Sequence, residues 1–170
     1  LREGIGEIIA RRKTSDFIVG SRISVYEGVR GCCGTSAPDE LVEDLTESLQ
    51  LVRLMDSLQM DYVNVSAGIP AKTPILTRPV QNSELMYLHH LRYTKEVKNA
   101  LKNSSMKVIG SAYSILRERA FSVADEMLEK HYTDFIGWGR QTLADPLTPQ
   151  KLLNGERINF CLACSGCSKM

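Results

Sequence analysis

The segment KVIGSAYS, Lys107–Ser114, passes from a short apolar run straight into a turn of glycine and serine. Comparable runs of Val, Ile or aromatic residues, each bounded by glycine and small polar residues, occur as FIVGSRIS (17–24), YVNVSAG (62–68) and FIGWGRQT (135–142). Apolar runs of this length between turn residues read as buried parallel strands. Helical patterns lie between them. SAPDELVEDLTESLQLVRLMDSLQ (36–59) offers Ser36 or Asp39 as a cap and places Leu41, Leu45, Leu49 and Val52 on one face. SELMYLHHLRYTKEVKNALKN (83–103) follows the second run and LRERAFSVADEMLEKHY (116–132) the third, while LREGIGEIIARRK (1–13) precedes the first and TPQKLLNGE (148–156) ends the series. Strands alternating with helices imply βαβ units and a parallel sheet.

The four runs begin at residues 17, 62, 107 and 135, a rhythm that suits a (β/α)8 barrel. A full barrel takes about 250 residues. Four strands cannot close one, so the expected fold is α/β, strands 5 to 8 of a TIM barrel, with residues 1–155 forming its C-terminal half. Residues 156–170 are the start of a separate cysteine segment. A small doubly wound open sheet is the alternative, but SVYEGVRGCCG (24–34) has scattered glycines and no GxGxxG at a helix entrance.

With 170 residues, 43% hydrophobic, 24% charged and a net charge of +1, the composition is that of a soluble domain without bias toward nucleic acid. Its apolar stretches fall well short of the roughly 20 residues that span a bilayer, and LREGIGEIIARRK is no signal peptide. The chain begins without Met, as though cut from something longer. Five cysteines, an odd number, sit as Cys32–Cys33 and as the run CLACSGC, Cys161, Cys164 and Cys167. That arrangement is poor material for a secreted disulfide framework and fits reduced thiols in a cytoplasm, some of them metal ligands.

In barrels the active site sits at the carboxyl ends of the strands, and the loops after strands 7 and 8 often hold phosphate. Here those loops are GSAYS (110–114) and GRQTLADP (139–146). Gly110 and Gly139 let backbone approach an anion, Ser111 or Ala112 can present N–H groups, and Arg140 supplies a fork of donors. Arg22 lies along an otherwise apolar strand. It reads either as half of an interior ion pair, with Glu27 or a carboxylate of the absent half, or as a fixed cation facing a cofactor that becomes anionic.

Taken in order, VGSRIS, MDYVNVSAG, KVIGSAYS, DFIGWGRQTLADP and INFCLACSGC resemble the old yellow enzyme-like NADH:flavin oxidoreductases, most of all the iron–sulfur flavoenzymes similar to 2,4-dienoyl-CoA reductase and trimethylamine dehydrogenase. The most specific pieces are GxGRxxxADP and the cysteines one short helix later. The resemblance implies FMN at the mouth of a barrel. It places Arg22 against the pyrimidine edge of the flavin, where its charge favours the reduced anion. Gly110, Ser111, Ala112, Gly139 and Arg140 match the phosphate cradle. Cys161, Cys164 and Cys167 match three ligands of a 4Fe–4S cluster, the fourth being a cysteine about a dozen residues past Met170.

The implied activity takes electrons from NAD(P)H through flavin and cluster to a small-molecule substrate, an activated alkene such as an enone or enoyl thioester. FAD is carried in a further C-terminal region of the relatives. The catalytic residue is unassigned, since the loop after the second run, SAGIPAKTPILTRP (66–79), lacks the family's histidine. His89 and His90 fall on a helix, outward or packed, and His131 at the wrong end. Cys32 and Cys33 match no family role. A non-redox barrel for a phosphorylated metabolite, a structural zinc site and an inactive fragment that pairs with another half, as in a homo-oligomer, are the competing readings.

Overall fold

The computed structural model describes residues 2–14, 16–83 and 85–168; Leu1 and Glu84, which belong to two of the helical patterns, lie outside them. The elements are α1 (Arg2–Ala10), β1 (Gly20–Ser24), α2 (Thr46–Ser57), β2 (Tyr62–Ser66), α3 (Pro74–Thr77), α4 (Met86–Ala100), β3 (Lys107–Gly110), α5 (Ala120–Glu129), β4 (Phe135–Ile136), α6 (Gly139–Ala144) and α7 (Thr148–Asn154). Short 3-10 turns occupy Gln81–Ser83, Tyr113–Arg119 and Gly166–Ser168.

The chain is α/β with one four-stranded parallel sheet in the order β1-β2-β3-β4. A doubly wound sheet reverses its strand order at a switch point; this one does not. Register pairs Arg22 with Asn64, Asn64 with Ile109 and Ile109 with Phe135, so these four share a face. The other face carries Ile23, Val63, Val65 and Val108, which are buried with Val52 and Met55 of α2 and Tyr93 and Val97 of α4. A second cluster joins α5 to Tyr113, Ile115, Leu116 and the partly buried Ile136 and Trp138.

Two expected elements differ. The helix expected from residue 36 starts at Thr46. Residues 34–44 fold back on themselves instead: Ser36 N–H donates to the Val42 carbonyl at 2.9 Å and Asp44 N–H to that of Gly34 at 2.8 Å. The Glu43 carboxylate is claimed by Arg92 and Tyr93 of α4, and Asp44 Oδ1 accepts the Thr46 amide at 2.8 Å, which starts the helix there. The fourth run is a strand only over Phe135–Ile136. Gly137 N–H still pairs with the Gly110 carbonyl at 2.7 Å, and GRQT then turns into α6.

Candidate functional site

A cavity of about 300 Å³ opens at the carboxyl ends of the strands, with Arg22, Ser111, Ala112, Gly139 and Arg140 on its wall. Asn64, Arg78, His90 and Trp138 complete it. Five of the six residues expected to hold a cofactor thus converge. Ala112 adopts a left-handed conformation, φ 76° and ψ 9°, a strain of roughly 1–2 kcal/mol for a residue with a Cβ. It turns the chain sharply at the end of β3. A Cβ built on Gly139 would meet no atom within 4 Å, so that wall lets a ligand come up to the backbone. The Ser111 hydroxyl is committed to the Val65 carbonyl and is not free for a ligand.

Gly110 is the sixth, and it is not on the wall. A Cβ there would stand 2.8 Å from the Tyr113 hydroxyl. The glycine makes room for a buried tyrosine rather than for an anion.

The electrostatics are one-sided. Among the described residues, no carboxylate forms a salt bridge with Arg22, Arg78 or Arg140. Arg22 is exposed and its Nη2 donates to Ser66 Oγ at 2.9 Å. Glu27, its expected partner, accepts the Cys33 amide instead at 3.2 Å. Arg140 donates through Nη1 to the Pro79 carbonyl at 2.9 Å. Burial pushes the Arg140 guanidinium down from its ordinary value, the neighbouring cysteines act against this, and Arg78 adds to it.

His90 is fully buried on α4 and forms part of the same wall. Its Nε2 lies 2.7 Å from the Leu76 carbonyl, which can only accept, so the proton sits on Nε2 and Nδ1 is a lone-pair acceptor without a partner. Burial, with the positive charge of Arg22 and Arg140, holds the imidazole below its usual range and neutral. The signal was present in the helical spacing of His90, Thr94 and Val97 along the buried stripe of α4.

The cysteine segment is tied to the same loop. Gln141 Oε1 accepts the Cys161 amide at 3.0 Å, and its Nε2 donates to Thr148 Oγ1 at 2.9 Å and to the Asn159 carbonyl at 3.0 Å. Asp145 Oδ2 accepts the Asn159 amide at 3.0 Å and pairs with Lys151 at 2.7 Å. Left-handed Ala163 (φ 51°) and Ser165 (φ 57°) wind the segment. Cys161, Cys164 and Cys167 then line one cavity of about 360 Å³ with Arg140 and Phe160. Arg140 belongs to both cavities, so the two adjoin. The Ala163 amide donates to Cys161 Sγ at 3.4 Å, a contact suited to a thiolate. Among the described residues no three His, Cys, Asp or Glu side chains stand close enough to hold a metal ion. Cys32 and Cys33 line neither cavity. Cys33 Sγ lies 3.1 Å from Ser48 Oγ, and burial pushes that thiol up.

No protein-family model matches the chain. It is 28% identical over 167 residues to an NADH oxidase of Thermoanaerobacter brockii, covering 95% of this chain and 23% of that protein. It is 27% identical over 127 residues to a bilirubin reductase of Mediterraneibacter gnavus, covering 73% and 19%. A metal reductase of Desulforamulus reducens matches at 26% over 174 residues, covering 98% and 21%. The chain therefore spans about a fifth of the length of these relatives. In structure it is similar to 6-hydroxypseudooxynicotine amine oxidase from Pseudomonas geniculata N1, with a TM-score of 0.62 at 20% identity over 89% of this chain and 20% of that one. That likeness speaks for the fold.

A larger concavity, about 840 Å³, lies at the opposite end of the strands between Arg12, Ile18, Asp61, Tyr62, Lys107 and Phe135. Its arginine is already neutralised by Asp61, and Ile18 and Phe135 give it exposed apolar walls. The smaller cavity has the unspent charge. No helix among the described residues is long and apolar enough to cross a membrane.

Proposed function

We propose that this chain is part of a flavin-dependent oxidoreductase, with FMN held at the strand ends. The observation that carries the reading is the 300 Å³ cavity where Ser111, Ala112 and Gly139 meet three arginines, Arg22, Arg78 and Arg140, none of them salt-bridged to a carboxylate among the described residues. The names of the three relatives, an NADH oxidase and two reductases, support a redox role and NAD(P)H as donor. The sequential parallel sheet with one face bare supports strands 5 to 8 of a (β/α)8 barrel.

The residues present fit FMN. Ala112 and Gly139 leave backbone within reach of a phosphate, and Arg140 brings a guanidinium to it. Arg22 stands further along the wall, on the face of β1 shared with Asn64, and would lie along the flavin's pyrimidine edge. Asn64 Oδ1, buried without a partner, would accept from an N–H of the ring system. Bound FMN supplies two-electron and one-electron redox chemistry. The chain's own work is to bind, orient and neutralise charge, and the substrate class remains the activated alkenes implied by resemblance.

The three cysteines suit an iron–sulfur cluster in donor chemistry, as three thiols lining one cavity next to Arg140. Their sulfurs are not gathered closely enough to hold metal as they stand, so the cluster would have to draw the segment together with a fourth ligand from elsewhere. Anaerobic reconstitution of the full-length protein should yield iron and inorganic sulfide, lost together in Cys161→Ser; unchanged metal content in that variant would remove the cluster from this segment.

The decisive experiment is titration of the protein with FMN, followed by flavin fluorescence. Arg140→Ala should weaken binding by about 1.5–3 kcal/mol, the range for a charge-assisted hydrogen bond. A colourless protein that ignores flavin yet binds phosphate esters would favour the second reading, a non-redox phosphate-binding barrel, which the same arginines support.

A further inference from the structure

Resting on the flavin reading above, we infer that Arg78 is a second phosphate-binding arginine, which pairs with Arg140 and makes the site selective for a phosphorylated ligand. Arg78 follows α3 in the loop that crosses from β2 toward α4, and its amide donates to the Pro74 carbonyl at 2.8 Å, closing that short helix. Its side chain is half-buried on the wall of the 300 Å³ cavity, with Ser111, Gly139 and Arg140. The next residue, Pro79, gives its carbonyl to Arg140 Nη1, so Arg78 is fixed beside that guanidinium by the backbone. Both arginines line the same cavity. Neither is salt-bridged to a carboxylate among the described residues.

Two guanidiniums lining one cavity repel each other, and a dianion bound there removes that repulsion and gains from both. A phosphate monoester has that charge near neutral pH. A neutral ligand such as riboflavin gains nothing from the pair. Lysine at position 78 would keep the charge but not the fork.

The test compares FMN, riboflavin and inorganic phosphate as probes of the full chain, by fluorescence titration for the flavins and thermal protection for phosphate. FMN should bind wild type at least tenfold more tightly than riboflavin. Arg78→Ala should lose about tenfold in FMN affinity with riboflavin affinity unchanged, Arg78→Lys should recover part of the loss, and added salt should weaken FMN less in Arg78→Ala than in wild type. Equal loss of both flavins in Arg78→Ala, or FMN affinity unchanged in it, would overturn the assignment. If neither flavin binds while phosphate protects wild type and not Arg78→Ala, the flavin reading fails and the arginine pair stands. Absence of phosphate protection as well as flavin binding in wild type overturns both.

Discussion

Gln141 uses both ends of its side-chain amide, accepting from Cys161 and donating to Thr148 and Asn159, while only 2% exposed. Gln141→Leu keeps much of the volume but leaves the buried Cys161 amide without its acceptor and takes a donor from the buried Thr148 hydroxyl. It should destabilise the fold by about 2–4 kcal/mol in urea denaturation, given the cost of each buried group left unpaired. A change under about 0.5 kcal/mol would mean that water or neighbours replace those bonds. Residues of this kind were hidden in the sequence. Gln141 is a polar residue in the stretch between Arg140 and Asp145, and nothing local marks it as buried. Arg22 and Arg140 were legible because a charge on a core strand, or after a strand-ending glycine, is out of place. Arg78 was not, because an arginine in a polar loop needs no explanation until the loop is seen to fold over the strand ends. Gly110 was legible as a special position for the wrong reason, since its neighbour Tyr113 reaches back over it.

Strands were the most readable elements, each an apolar run cut off by glycine. Their order was less so, and only the strand pairing shows that the four described strands follow one another without a reversal. The start of α2 was misread because 36–45 has helical periodicity while its polar groups find better partners in a fold-back turn and in α4. At the end of the chain, α6, α7 and the cysteine segment are gathered by one carboxylate. The Asn159 amide, then Lys151, hold the Asp145 carboxyl below its ordinary value. A carboxyl lowered in the folded state stabilises fully above its unfolded pKa, and that contribution fades as pH falls through about 4 and onward to the lowered value. Thermal stability should thus drop between about pH 5 and 2, and Asp145→Asn should flatten part of the drop while lowering stability at pH 7. Asp61 and Asp134, lowered too, leave a residual slope of the same sign. An unchanged pH profile in Asp145→Asn would show that its partners do not distinguish charge.

Seen as a whole, the molecule has a finished side and an unfinished one. The helix-covered face of the sheet is closed by apolar packing, while the other presents Arg22, half-buried Asn64 and Ile109, and Phe135 at 55% exposure. β1 and β4 each have a free edge, and free edges invite pairing with further strands. The arginine-lined cavity lies at the carboxyl ends of the strands, at the rim of this bare face, where Arg22 and Asn64 of that face line its wall.

Across that rim runs the segment between β2 and α4, pinned at three points. His90 holds the Leu76 carbonyl, Arg140 holds that of Pro79, and Gln81 Nε2 donates to the Leu162 carbonyl at 3.0 Å. Arg140 spends one of its five N–H donors on Pro79 and keeps the others for an anion, so the crossing and the cavity share a single guanidinium. Because Gln81 ties the same crossing to the carbonyl between Cys161 and Ala163, a pull on that guanidinium is transmitted through one stretch of backbone to the cysteine segment.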